Sequence, residues 1–341
     1  MKINNFKINE KSKPYIIAEL SGNHNGDINN FLKIIDYIKF SGANAVKLQT
    51  FKPEELTLNS NKKPFLVKHK FKKWNNKTLF ELYKDAYTPW EWHDKILKKS
   101  KKLGLDFICT PFHNSAVDFL NKIGVDCFKI ASFEFNDHNL VEYTAKKKKP
   151  MILSTGMAYE DEILTNFKIL NKNSKNNFAF LKCSSSYPAP ILDLNLKTIK
   201  YLKKKYKCEV GFSDHTYGNL ASTVAISFGA SIIEKHICLD KKIGVDSDFS
   251  LDPDEFKQFV KDCHLSWQSK GKIYFGPTKS ELASIKNRRS LFVIEDIKKG
   301  EKFSLDNIGS RRPAMGLKPI YLKKFLGKKA KTDLKKNSPL K

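Results

Sequence analysis

The sequence predicts an α/β fold: a (β/α)8 barrel followed by a small separate domain. Eight short apolar runs of strand length recur between residues 15 and 236, each followed by a segment of helical length. The pattern is plainest at 208–236, CEVGFSDHTYGNLASTVAISFGASIIEKH, where two apolar runs flank a small-residue segment at 218–229. A helical crossover of that kind makes its strands parallel and brings their ends to one edge of the sheet. The alternation then stops near 271–286, and 289–341 carries short β-like pieces with turn signals at Lys299-Gly300 and Arg312-Pro313. The expected division is a barrel over 1–270, a linker over 271–288 and a terminal domain over 289–341.

The first run, 15–20 (YIIAEL), is apolar except for Glu19 and leads into SGNHNG at 21–26, as a strand buried on both faces leads into its exit loop. Residues 28–40 have helical periodicity and stop at Ser41-Gly42. Further strands are predicted at 45–51, 107–112, 127–133, 151–156, 178–184, 209–215 and 231–236. Helices are predicted at 91–103, 115–123, 139–147, 160–170, 194–204, 219–228 and 253–267. One connection breaks the rhythm. Residues 52–89, rich in Lys, Asn and aromatics, are far longer than a barrel loop needs, and we read them as a lid or substrate loop rather than a passive insertion.

With 341 residues, 40% hydrophobic, 25 Phe and 12 Tyr, the chain can bury a core of this size. The formal net charge of +26 raises the question of a nucleic-acid partner. Only four of the 62 basic residues are arginine (Arg288, Arg289, Arg311, Arg312), and the lysines are spread along the chain. Lysine clusters at 98–102, 146–149 and 203–205 fall near predicted helix ends, where cations suit the dipole, so we read solvated faces and no nucleic acid. The six cysteines show no C-x-x-C spacing and sit mostly in apolar runs, as buried thiols of a reducing compartment do. The N-terminus lacks a signal-like apolar stretch and no run spans a bilayer, so a cytoplasmic protein with no membrane partner is expected.

In a parallel barrel the chemistry collects at the C-terminal ends of the strands. Polar residues there are Glu19, Lys47, Thr110, Lys129 with Ser132 and Glu134, Ser154, Lys182 with Ser184, Ser213 with His215, and Glu234 with His236. Three lysines and several hydroxyls describe a pocket for phosphate or carboxylate. His215 and His236, each beside a carboxylate, describe a site for a divalent metal of the manganese, iron or zinc kind. A strand-end lysine can instead snorkel to solvent, and Ser or Thr can cap the next helix. The equivalent places of Lys47, Lys129 and Lys182 in three repeats, each between apolar neighbours, favour the pocket. His24 is a secondary candidate, whereas His69, His93, His113, His138 and His264 stand in polar or helical contexts and carry no case.

The segments AELSGNHNGD (18–27), SGANAVKLQTF (41–51), CFKIASFE (127–134), ILSTGM (152–157), GFSDHTYG (211–218) and IIEKH (232–236) resemble the sialic acid synthase family. SRRPAMGL (310–317) resembles the signature of that family's terminal antifreeze-like (SAF) domain, so the likeness covers nearly the whole chain. The resemblance implies condensation of phosphoenolpyruvate with an N-acetylated sugar on a metal-dependent barrel. FELYKDAYTPWEWH (80–93), CSSSYP (183–188) and DSDFSLDPDEF (246–256) are similar to the branch that makes pseudaminic acid, and Ser185 stands where the neuraminate enzymes carry Asn. The implied acceptor is 2,4-diacetamido-2,4,6-trideoxy-β-L-altropyranose, with neuraminate or legionaminate synthesis as the alternative. By the same resemblance Lys47, Thr110, Lys129, Ser132, Ser154, Ser184 and Ser213 would hold phosphoenolpyruvate. Glu19, Glu134, Tyr187, Glu234 and Asp246 would face the sugar, and His215 and His236 would hold the metal, Mn2+ with Mg2+ or Co2+ as alternatives. Arg312 matches a family arginine that reaches the sugar from the partner subunit, which implies a domain-swapped homodimer.

Two rival readings carry different predictions. A metal-free aldolase would form a Schiff base on Lys129 or Lys182 and be inactivated by borohydride with substrate. A basic nucleic-acid-binding protein would bind tightly with a steep salt dependence.

Overall fold

The computed structural model describes residues 1–341 apart from 70, 72, 175 and 176. The chain divides into two compact units, Met1–Gly271 and Lys272–Lys341. In the first, eight parallel strands close into a barrel: β1 (Tyr15–Glu19), β2 (Ala45–Thr50), β3 (Asp106–Pro111), β4 (Cys127–Ile130), β5 (Met151–Ser154), β6 (Phe178–Cys183), β7 (Glu209–Asp214) and β8 (Ile232–His236). They pair in sequence order, and β8 closes on β1 with Ile232 opposite Tyr15 and His236 opposite Glu19. This is the (β/α)8 barrel that the sequence predicts.

Side chains alternate along each strand, so one parity faces the axis and the other faces the helices. At the N-terminal end the axis is filled by Tyr15, Ile17, Ala45, Ile108, Ile152, Leu181 and Ile232, sealed from below by Ile3 and Ile8 of the N-terminal hairpin segment. The outward parity, with Phe107, Phe128, Phe180 and Phe212 among it, packs beneath the ring of helices. Those helices stop where their chemistry requires. The helix Ile28–Ser41 starts at Asp27, whose carboxylate accepts from Asn29 N at 2.8 Å, and ends at Gly42 with φ +85°, a conformation open to glycine. The last, Pro253–Ser269, has a reciprocal cap in which Asp252 and Glu255 each accept the other's backbone N–H.

The long connection after β2 contains helices at Pro53–Leu56 and Leu79–Ala86 and a 3-10 turn at Lys63–Phe65. In the second unit a 3-10 helix, Lys279–Asn287, occupies the second half of the stretch expected as linker. Beyond it, β9 (Ser290–Val293) pairs antiparallel with β10 (Ile308–Arg311) over a small core of Leu291, Val293, Ile297, Phe303, Ile308 and Leu340. Gly316 passes so close to this core that a Cβ would lie 2.5 Å from the carbonyl oxygen of Leu291 and 2.7 Å from that of Leu340.

Candidate active site

Above the apolar plug the inward parity becomes polar: Glu19 on β1, Lys47 and Gln49 on β2, Thr110 on β3, Lys129 on β4, Ser154 on β5, Ser213 on β7, and Glu234 and His236 on β8. The register sets these residues side by side, with Glu19 opposite Lys47 and Ser213 opposite Glu234. A cavity of about 380 Å3 opens over them. Lys47, Lys129, Ser132, Glu134, Ser154 and Ser213 line it, as do Tyr187, His215, Glu234, His236 and Asp246.

Its floor is a buried charge cluster. Lys47 Nζ lies 2.9 Å from Glu19 Oε2 and 2.8 Å from Glu234 Oε1, and Lys129 Nζ lies 3.6 Å from the same Glu234 oxygen. The Ser213 hydroxyl donates to Glu234 Oε1 at 3.3 Å. Burial pulls the Lys47 ammonium down to about 8 against the pull of Glu234 in the other direction. For Glu234, burial favours the neutral acid, yet Lys129 and Lys47 hold it down to about 2. Glu134 forms no ion pair among the described residues, and burial pushes its carboxyl up to about 7 against the weaker pull of Lys129, with Oε2 making no hydrogen bond.

The two histidines stand at one rim, ring centroids 5.4 Å apart. His215 Nδ1 donates to the carbonyl of Ser184 at 3.0 Å, with Cys183 Sγ 3.7 Å away, which leaves Nε2 its lone pair. His236 Nδ1 is buried without a hydrogen-bond partner, and burial followed by the charges of His215 and Lys47 pushes its pKa well below that of a free imidazole. A neutral imidazole with an unused nitrogen is the form that ligates metal, which His236 offers outright. For His215 burial lowers the pKa but Cys183, the Ser184 carbonyl and Glu234 together raise it, so it offers Nε2 on giving up its proton, and the pair suits a divalent ion. Among the described residues no group of three or more His, Cys, Asp or Glu converges, so water or substrate oxygens would have to complete the coordination.

The loop carrying His215 is held by a second buried cluster behind the barrel wall. Asp214 Oδ1 accepts from both Thr216 N and Thr216 Oγ1 at 2.8 Å, and Oδ2 accepts from Ser222 Oγ at 2.6 Å. Lys235, wholly buried, lies 3.2 Å from Asp214 Oδ1 and donates to the carbonyl of Thr216. Strand parity decides these roles: Asp214 and Lys235 face outward while Ser213 and Glu234 face the cavity.

Some sequence-predicted residues fall elsewhere. Lys182, read as a third pocket lysine, occupies the outward parity of β6; it is half-buried, and its Nζ donates to the carbonyl of Cys183 at 2.9 Å. Glu19 and Thr110 sit in the barrel interior without lining the cavity, and the Thr110 hydroxyl has no hydrogen-bond partner. Ser184 contributes its carbonyl to His215. Arg312 belongs to the second unit, where it is exposed. His24, in the loop after β1, packs on Phe31 and Trp92.

Other cavity residues escaped the sequence reading. The Gln49 amide donates to Glu19 Oε1 and to Ser21 Oγ, each at 3.1 Å, and Ser21 in turn hydrogen-bonds Asp246. Trp74, from the long connection, donates its indole N–H to Val245 O at 2.8 Å and packs against Phe249, which also meets Tyr187 and His236. His69, set aside from the sequence, lines the same cavity. Strand-end Gln49 was findable by the period-two pattern that selected Lys47; Trp74 and His69 had no comparable signal.

A model of the NeuB family matches residues 34–274, and one of the SAF domain matches residues 288–341. A pseudaminic acid synthase of Campylobacter jejuni subsp. jejuni serotype O:2 is 45% identical over 345 residues, covering 100% of this chain and 98% of that protein. One of Helicobacter pylori is 40% identical over 331 residues, covering 96% of each. Among solved structures, the N-acetylneuraminic acid (sialic acid) synthetase of Leptospira borgpetersenii serovar Hardjo-bovis in complex with citrate matches with a TM-score of 0.74 and 33% identity, over 84% of this chain and 94% of its own. Family match, full-length relatives and barrel agree, and the chain belongs to the NeuB family.

Proposed function

We propose that the protein is a pseudaminic acid synthase, a transferase that condenses phosphoenolpyruvate with 2,4-diacetamido-2,4,6-trideoxy-β-L-altropyranose and water to give pseudaminic acid and phosphate. The observation that carries this reading is a cavity with two lysines and three serines at one end and a histidine pair at its rim, in a chain 45% identical along its whole length to a pseudaminic acid synthase. Lys47 and Lys129 bind the phosphate and carboxylate of phosphoenolpyruvate, and Ser132, Ser154 and Ser213 supply hydroxyl donors. The carbonyl of Ser184 orients His215 at the rim, and the buried Thr110 hydroxyl is a further donor on the barrel axis beneath the cavity. Glu134 is suited to move a proton at the anomeric oxygen as the pyranose opens, since its carboxyl near 7 can hold or release one at neutral pH. Tyr187 and Asp246 face the sugar across the same cavity.

His215 and His236 would hold the metal, Mn2+ with Mg2+ or Co2+ as alternatives, which when bound supplies Lewis-acid polarisation of the open-chain aldehyde oxygen. Carbon 3 of phosphoenolpyruvate attacks sugar carbon 1, water adds to carbon 2, and phosphate leaves with cleavage of its C–O bond. Glu19 and Glu234 are clamped by Lys47. An arriving phosphate competes for that ammonium, and the carboxylate it frees can take the proton from water.

The family arginine at Arg312 supports a homodimer in which the terminal domain of one subunit serves the partner's cavity. Six free cysteines among the described residues support a reducing, cytoplasmic setting, and among those residues no helix is long and apolar enough to cross a membrane. The test is to supply phosphoenolpyruvate, Mn2+ and each candidate sugar separately and follow phosphate release. Release with the altro sugar and its loss in chelator support the reading. Release that survives chelation, together with borohydride inactivation in the presence of substrate, would replace it with a Schiff-base aldolase.

A further inference from the structure

Away from the charged floor the cavity has a second wall that the condensation itself does not require. The helix Leu79–Ala86 is fixed at its start by Thr78 and Glu81: Thr78 Oγ1 accepts from Glu81 N at 3.1 Å, and Glu81 Oε2 accepts from Thr78 N at 2.7 Å. Leu79, Leu82, Tyr83 and Ala86 follow the i, i+3, i+4, i+7 stripe that an amphipathic helix normally buries in a core. None of the four belongs to either hydrophobic cluster of the barrel unit, and all four line the cavity. Phe51 and Phe112 join them, edge to face with centroids 5.3 Å apart, and Tyr83 meets Phe51 at 6.0 Å. The indole N–H of nearby Trp74 is already committed to Val245 O.

An apolar stripe lining a ligand space favours a ligand that covers it with apolar surface of its own. The condensation requires sugar carbon 1 to sit beside phosphoenolpyruvate on the lysine floor, which sends the far end of the sugar away from that floor. We infer that the wall of Leu79, Leu82, Tyr83, Phe51 and Phe112 is the subsite for the deoxygenated, methyl-bearing end of the acceptor, and that it selects against a hydroxymethyl group there. This rests on the condensing reading of the cavity. A hydroxyl pressed against the carbons of Leu79, Leu82, Phe51 and Phe112 gives up water without gaining a partner, and an apolar pocket rejects an added hydroxyl by about 100-fold.

The experiment uses the full chain with Mn2+ and phosphoenolpyruvate and compares kcat/KM for the 2,4,6-trideoxy acceptor with that for its 6-hydroxy counterpart. The expected ratio is about 100 in favour of the deoxy sugar. In Leu82→Gln, or in Leu79→Gln should the first fail to fold, the ratio falls at least about tenfold while KM for phosphoenolpyruvate is unchanged. Equal kcat/KM for the two acceptors in the unsubstituted protein overturns the inference and leaves the condensing reading standing. Absence of phosphate release with either acceptor overturns both.

Discussion

Replacing Lys47 by Met tests whether the buried cluster is built as described. Among the described residues Lys47 is the single cation within ion-pair distance of Glu19, which is wholly buried. Glu234 would keep Lys129 at 3.6 Å, so the loss falls mainly on Glu19. A buried ion pair broken from one side leaves an uncompensated charge, which costs about 3–5 kcal/mol. All four tryptophans, Trp74, Trp90, Trp92 and Trp267, lie in the first unit, so their fluorescence during urea unfolding reports the barrel alone. Lys47→Met should lower barrel stability by that amount and abolish phosphate release. Lys47→Met combined with Glu19→Gln should recover most of the stability but not the activity, because the second change removes the stranded charge without restoring an anion binder. Lys182→Met, on the outward parity, should cost only about 1 kcal/mol for its single hydrogen bond. A single-substitution cost at Lys47 below about 1 kcal/mol, or no recovery in the double variant, would refute the cluster as the source of the effect.

Further outcomes follow from the same geometry. Glu134 has its folded pKa raised by burial from 4.5 to about 7, so its contribution to stability is complete below about pH 4.5 and is lost as pH rises through about 7. Glu134→Gln should therefore stabilise the barrel relative to the parent more at about pH 8 than at about pH 5, measured as urea midpoints; an equal effect at both would sink the assignment. His215→Ala and His236→Ala should each weaken Mn2+ binding by at least about 100-fold in equilibrium dialysis, whatever their effect on turnover. Lys235→Met strands Asp214 behind the His215 loop and should cost about 3–5 kcal/mol of stability. It should also lower Mn2+ affinity by about 10–100-fold if the pair positions His215 rather than merely fills space.

The barrel was legible because each repeat carries its own signal, and the signals that failed did so for local reasons. Residues 131–133 were read as a continuation of the strand that ends at Ile130, since AlaSerPhe looks strand-like in sequence, yet Ser132 turns its hydroxyl to the N–H of Gly156 across the mouth. The helix expected from 194 begins at Thr198, after a 3-10 turn at Ile191–Asp193. Lys182 was misjudged through strand parity: counting by twos from Leu181 and Cys183, which face the axis, places it outside. Trp74 and Phe249 could not be found by any periodicity, and the stripe that carries Leu82 marks a helix face without saying what it faces. Their meeting depends on how the 52–89 connection folds back over the loop after β8, a contact between segments more than 150 residues apart, as the Trp74–Val245 hydrogen bond spanning 171 positions illustrates.

That distance explains why the charged floor and the apolar wall come from different kinds of sequence. The floor must be rigid and is set by barrel register, where each inward position is fixed by ladder bonds on both sides. It must also be near neutral to stay buried, and two lysines balanced by Glu19 and Glu234 satisfy that. At about 8, Lys47 remains about nine-tenths protonated at neutral pH despite its burial, so an anion binder is held charged by carboxylates that the anion can displace. The wall has no such electrostatic constraint. It can be carried by an insertion whose helix need only keep four apolar side chains on one face, which makes it the part of the cavity where acceptor choice can change without disturbing the chemistry below.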